Sequence, residues 1–340
     1  MSYLNKKNYI YILLTIFISF FTLYIIFKIT NENSLVYLKR LDAKYISIIM
    51  AVIFSSLFID TIRVSELLNA MGEDLPFWYL IKFNLSMFFI TAVTPFGSGS
   101  LPLAIYLFNK KKIAPNKGLM IFTSKLLFSG IFFGTIPPIL LIFFRKQIQM
   151  NGYILYFGLL ASCISTFLLI VMIYIILKPE MVIAVIRWFN SLNLSKKYNL
   201  DRYCQIAIDE TIEYNKRFKE LFSVGNNFRL LSGQLVYSVV YWILFYSIAP
   251  IILIALKIHF NWFAVVARQF IFYDVLSYNF IPSGAGIMEV GFTAIFSHEV
   301  PKAMLGIFIG IWRFFTYHVY LLISSIGFSL TLREYSSQKV

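Results

Sequence analysis

Three stretches of this chain, Tyr9 to Phe27, Tyr153 to Leu177 and Leu230 to Leu256, run without a single charged residue. Each is close to or beyond the roughly 20 residues an α-helix needs to cross about 30 Å of hydrocarbon. Lipid offers no water to backbone N–H and C=O groups, so a spanning segment must satisfy its own backbone, as a helix does. Five further segments are apolar with a few charges: Tyr45 to about Leu68, Phe77 to Val93 with Lys82, Leu119 to Phe144 with Lys125, Phe263 to Ile281 with Arg268 and Asp274, and Ala303 to Leu332 with Arg313. The sequence therefore predicts an all-α fold, a polytopic membrane helix bundle of about eight spans. Composition agrees, with 59% of residues hydrophobic and 14% charged, against about 25% charged in soluble domains.

The whole chain, 1–340, reads as a single integral membrane domain with one long polar insert at 178–229. Its first apolar segment is too long for the core of a signal peptide and lacks a small-residue cleavage site, so it is expected to remain as a span. Lys and Arg concentrate on the cytoplasmic flanks of membrane proteins. With both termini cytoplasmic, at the cell membrane, 18 of the 30 basic residues fall inside and 8 outside, provided that two interrupted segments turn the chain back. A net charge of +14 then suits anionic lipid and calls for no nucleic acid. Cys163 and Cys204, one in a span and one in the insert, offer no disulfide or metal spacing.

The two interruptions are TPFGSGSLPLAIYLF at 94–108 and IPSGAGIMEVGF at 281–292, and both contain P-x-G-[SA]-G. Non-helical backbone at membrane depth survives only where protein buries it or where it lines a cavity. Glycine lets a ligand approach the backbone, and the free N–H groups that open a helical piece favour phosphate or carboxylate. Pro and Gly also serve close packing in membrane helices. Two alike interruptions, 187 positions apart, favour a site, because paired breaks mark inverted repeats that bind between their halves.

With the later IGIWRFFTYHVYLLISSIGF, these stretches resemble the lysylphosphatidylglycerol synthase transmembrane-region family, over essentially the whole chain. The first family motif is similar to T-P-x-x-x-G-G-x-P with a following Tyr, matched by Thr94, Pro95, Gly99, Pro102 and Tyr106; Ser100 replaces a glycine, and Leu101 stands at a place often polar. The second is similar to P-x-P-G-G-x-G-x-x-E, matched by Pro282, Gly284, Gly286 and Glu289, with Arg313 as the later arginine. The resemblance implies lipid handling. In bifunctional members, a membrane part of this kind is regarded as moving aminoacylated phosphatidylglycerol between leaflets, while a soluble domain transfers lysine from lysyl-tRNA. No polar segment here is long enough for that domain, so phosphatidylglycerol lysyltransferase activity is not expected of this chain. The implied function is a flippase for an anionic or aminoacylated membrane phospholipid. The alternatives are a lipid-binding subunit recruiting a separate synthase or transferase, and a lipid-linked transferase working in the cavity. No cofactor is implied.

The candidate substrate-binding residues are Pro95, Gly97, Gly99, Pro102 and Tyr106 at the first interruption, Pro282, Gly284, Gly286 and Glu289 at the second, and Arg268, Asp274 and Arg313 from the spans. An ionised side chain at a helix centre costs about 2.5–3.5 kcal/mol on insertion scales and usually faces the bundle interior. Arg268 and Arg313 suit a lipid phosphate through parallel N–H donors. Asp274 and Glu289 suit an aminoacyl ammonium or a coupling proton. The competing reading pairs Arg313 with Glu289 and Arg268 with Asp274 purely for assembly. Lys82 and Lys125, nearer span ends, are expected to snorkel.

In the insert, Pro179 opens a predicted interfacial helix with Val182, Val185, Ile186 and Phe189 on one face. A polar helix over Asp201 to Phe222, with Glu213 four residues before Arg217, reads as a solvated connector. His259, His298 and His318 are scattered, and no metalloprotease, nucleotide-loop or serine-nucleophile motif appears.

Overall fold

The computed structural model describes residues 41–150, 152–192, 200–222, 227–278 and 281–336, together with Phe17, Phe21, Tyr24, Ile25 and Lys28. Apart from the first four of these early positions, which are helical, the span expected over Tyr9 to Phe27 lies outside the described residues. The helices are α1 (Ala43–Ala70), α2 (Phe77–Val93), α3 (Ser100–Lys110), α4 (Pro115–Phe143), α5 (Arg145–Ile148), α6 (Gly152–Leu177), α7 (Glu180–Ser191), α8 (Asp201–Leu221), α9 (Phe228–Ala255), α10 (Trp262–Leu276), α11 (Ile287–Phe296), α12 (Lys302–Arg313) and α13 (Tyr320–Ser336). No strand occurs among the described residues. The protein is an all-α membrane bundle: α1, α4, α6, α9 and the continuous rod Lys302–Glu334 are long and apolar enough to cross a bilayer.

One series of elements occurs twice. A 28-residue α1 leads to α2, a break, the 11-residue α3 and the 29-residue α4; a 28-residue α9 leads to α10, a break, the 10-residue α11 and the 33-residue rod. Even the first turns correspond. Gly72 after α1 has φ 72° and Lys257 after α9 has φ 57°. In each turn an N–H returns to the carbonyl five residues earlier, Glu73 to Leu68 and Ile258 to Leu253, both at 3.0 Å, which satisfies carbonyls left open at the helix end.

The halves are joined where α1 runs along α9 and α2 along α13, while α10 packs on α4 and α6. Lipid tails are as apolar as leucine, so association here rests on close packing rather than on exclusion of water. Phe292 of α11 stacks on Trp312 of α12 with ring centroids 3.5 Å apart. Gly327 allows α13 to meet α2: a Cβ there would lie 2.6 Å from Leu85 Cβ. Gly158 does the same for α6 and α10, where a Cβ would lie 2.7 Å from Ile271 Cγ2.

The insert is more firmly attached than a solvated connector. Helix α8 buries Ile208, Asn215, Phe218 and Leu221. The Asn215 amide donates to the Ile176 carbonyl, the Tyr214 and Thr123 hydroxyls share a hydrogen bond, and Lys219 Nζ donates to Leu177 O at 2.8 Å. The spaced pair Glu213 and Arg217 forms. On α7 the expected apolar face is divided, with Val182 and Ile186 half-buried while Val185 and Phe189 stay exposed.

Candidate functional site

Both interruptions use one backbone device. Pro95–Gly97 and Pro282–Gly284 are single 3-10 turns, each opened by a proline whose missing N–H is not needed there. The next two residues of each turn are left-handed: Phe96 at φ 53° with Gly97 at φ 64°, and Ser283 at φ 54° with Gly284 at φ 60°. A side chain in that region costs about 1–2 kcal/mol, so two such residues, Phe96 and Ser283, are held against a local preference. Beyond the turn the copies diverge. Gly286 sits at φ 85° and ψ −54°, open to glycine. Gly99 is ordinary helical backbone at φ −75°, but a Cβ there would lie 2.5 Å from Ile90 Cγ2. The first turn is closed by Thr94 Oγ1, which accepts from Gly99 N at 3.2 Å, and by Ser100 Oγ, which donates to Gly97 O at 2.7 Å. The serine found in place of a family glycine thus has a local task.

The breaks meet. Ser283 Oγ donates to Ala92 O at 2.7 Å, tying the second turn to the end of α2 beside the first. Against this junction lies a cavity of about 340 Å³, walled by Thr94, Phe96 and Gly97 from one break and by Ser283 and Gly284 from the other. Its remaining wall is aromatic, chiefly Phe133, Tyr241, Trp242 and Tyr273, with Arg313 and Tyr317 from the long rod.

Arg313 is the charged side chain in that wall. Its Nε donates to Glu289 Oε1 at 2.8 Å and its Nη2 to Ser283 O at 3.0 Å. Glu289 Oε2 accepts from Gly286 N at 2.7 Å, so one buried carboxylate both caps the opened backbone of α11 and aims the guanidinium. The guanidinium carbon lies 4.3 Å from the centre of the Tyr317 ring, a cation–π contact. Immediately after Arg313 the rod changes to a π-helix over Phe314–Val319, which places Thr316 and Tyr317 on the cavity; π segments inside α-helices are frequent at functional sites.

Of the twelve candidate residues, Gly97, Gly284 and Arg313 line the cavity. Pro95 and Pro282 shape the turns, Gly99 packs behind the first, and Gly286 and Glu289 stand behind Arg313. Pro102 lies in the first turn of α3, where its missing N–H costs nothing, and Tyr106 carries Lys110 over its ring at 5.6 Å. Arg313 and Glu289 are paired. Arg268 and Asp274 are not: Arg268 forms an ion pair with Glu299 and donates to Ile148 O at 2.7 Å, while Asp274 accepts from Ser162 and Ser165 of α6. Sequence reasoning passed over the aromatic wall, since aromatic residues are abundant throughout the chain and only tertiary packing selects these. Lys125, expected to snorkel, instead forms an ion pair with Asp60 at 2.7 Å inside the bundle.

Residues 10–324 match the family described as lysylphosphatidylglycerol synthase TM region. The chain belongs to this family. Among its relatives is a UPF0104 membrane protein of Archaeoglobus fulgidus, 23% identical over 327 residues that cover 91% of this chain and 93% of the relative. No solved structure matches. The family match spans both breaks and Arg313, so the cavity lies within the shared region of this lysylphosphatidylglycerol synthase transmembrane-region protein.

Proposed function

We propose that this family member is a flippase, moving an anionic or aminoacylated phospholipid between leaflets. The observation that carries the reading is the adjacency of two unlike spaces. Phe133 and Ser277 wall both the cavity holding Arg313 and a neighbouring groove of about 650 Å³. That groove is lined almost wholly by apolar side chains of α4 and α6, among them Leu126, Leu168 and Met172. A phospholipid has the same division, a charged head joined to hydrocarbon. Its phosphate would meet Arg313 beside the two breaks. An ammonium on the head group would meet the faces of Trp242 and Tyr273. The left-handed residues of the two turns supply hinges on which the short helices swing.

Reconstitution tests this directly. Liposomes carrying the protein and a fluorescent phosphatidylglycerol are treated with an impermeant quencher, and the fraction quenched over time reports leaflet exchange. Exchange faster than in protein-free liposomes, and slowed at least tenfold by Arg313→Gln, is the expected result. A rate equal to that of empty liposomes would reject transport and leave a lipid-binding subunit.

A further inference from the structure

The first half of the molecule has its own half-buried cation within the bundle, one residue short of the helix position that Arg313 takes in the second. Arg313 is the twelfth residue of the rod starting at Lys302, and Lys125 is the eleventh of α4, which starts at Pro115. Lys125 Nζ lies 2.7 Å from Asp60 Oδ2, and Arg63 Nη1 lies 3.4 Å from Asp60 Oδ1. Asp60 and Arg63, three apart, share a face of α1. One carboxylate therefore serves two cations, and the group carries one positive charge in excess where lone charge is costly.

Arg63 also has unused capacity. Its side chain is 2% exposed, and its Nε and Nη2 have no hydrogen-bond partner among the described residues. Those two nitrogens form the guanidinium edge whose parallel N–H bonds fit two oxygens of a carboxylate or phosphate. Lys125, by contrast, is 27% exposed and walls a third cavity of about 250 Å³ between α2, α3 and α4. Thr91 borders both this cavity and the one holding Arg313, and Ser100 of the first break borders the smaller.

We propose that Lys125 is a second phosphate contact, receiving a lipid head group that has left Arg313; this rests on the transport reading. As the phosphate arrives, Lys125 turns from Asp60 to the ligand, and Arg63 brings its free edge onto the Asp60 carboxylate. The excess charge is matched by the phosphate, and Asp60 never loses its counter-ion. Free phosphate offers the same oxyanion chemistry, so the test must separate it from lipid.

Binding to purified protein in micelles is followed by tryptophan fluorescence, with dioctanoyl phosphatidylglycerol, dioctanoylglycerol and inorganic phosphate as probes. Lys125→Met leaves Asp60 and Arg63 as a neutral pair, and elution volume and melting confirm the fold. Loss of a charge-assisted hydrogen bond to the phosphate is expected to make Lys125→Met weaken phosphatidylglycerol binding roughly tenfold or more. Dioctanoylglycerol binding is expected to stay unchanged, and Lys125→Arg is expected to restore phosphatidylglycerol affinity. Asp60→Asn, which releases Lys125, is expected to tighten binding. Unchanged affinity in Lys125→Met, or equal weakening in Lys125→Met and Asp60→Asn, overturns the proposal. Equal affinity for inorganic phosphate and phosphatidylglycerol overturns its lipid assignment. Loss in Arg313→Gln without loss in Lys125→Met removes the Lys125 contact alone; the reverse removes the Arg313 cavity as the entry site.

Discussion

Glu289→Gln is the most informative single change, because the carboxylate has two neighbours that both donate. Oε1 accepts from Arg313 Nε at 2.8 Å and Oε2 accepts from Gly286 N at 2.7 Å, with Glu289 itself wholly buried. A glutamine keeps the shape but offers one oxygen and one NH2. Whichever way the amide turns, a donor faces a donor, and the guanidinium loses its counter-charge. Breaking a buried pair from one side costs about 3–5 kcal/mol. The Ser283 carbonyl still accepts from Arg313 at 3.0 Å, so the lower end, about 3 kcal/mol, is expected. Adding Arg313→Gln removes the stranded charge, while the amide that replaces the Glu289 carboxylate still caps Gly286 through its oxygen. The double variant should therefore regain about 2 kcal/mol of the loss, a coupling within the range for neighbouring residues. Equilibrium unfolding in detergent, followed by tryptophan fluorescence, measures all three variants. A loss below about 0.5 kcal/mol in Glu289→Gln, or losses that simply add in the double variant, would refute the pairing argument. Leaflet exchange should stay low in the double variant whatever its stability, because Arg313 is gone.

Arg268→Gln removes an ion pair with Glu299 and the 2.7 Å bond to Ile148 O; unfolding should show a loss of about 3 kcal/mol, with phosphatidylglycerol affinity unchanged in the same preparation. Ser283→Ala deletes the 2.7 Å link between the breaks, for an expected loss of about 1 kcal/mol, and unaltered stability would show that the link carries none. For topology, cysteines placed at Lys111 and Lys197 in a chain freed of Cys163 and Cys204 should resist an impermeant reagent added to intact cells, while one at Lys257 should react. The opposite labelling pattern would invert the orientation.

The apolar helices were legible because their signal is local: α2 and α6 begin and end within a residue of the apolar segments read from sequence. Helix α10 stops at Leu276, short of the Ile281 to which its apolar run was expected to continue, so the break takes up the last residues of that run. The breaks were legible as P-x-G-[SA]-G, but their meeting through Ser283 and Ala92 is a long-range contact with no sequence pattern. Charge distribution misled at Arg63, one of the 18 basic residues assigned to the cytoplasmic side, which is 2% exposed and paired with Asp60. Its spacing of three from Asp60 inside an apolar segment was the signal that an internal pair was present. Lys125 was misjudged for the same reason. Snorkelling depends on which way a side chain points, and helix α1 supplies the partner that turns it inward.

The π-helix at Phe314–Val319 also sets a phase. A regular α-helix turns about 100° per residue, and the rod must satisfy two neighbours that fix its rotation independently. Upstream, Arg313 has to face Glu289 and the Ser283 carbonyl; downstream, Gly327 has to face Leu85, where a Cβ would come within 2.6 Å. The wider turn between them, where His318 Nδ1 lies 3.3 Å from Arg313 O, lets one continuous helix meet both demands. Deleting a single residue there would yield a tidier helix and a broken machine, since every side chain of α13 would rotate about 100° away from α2.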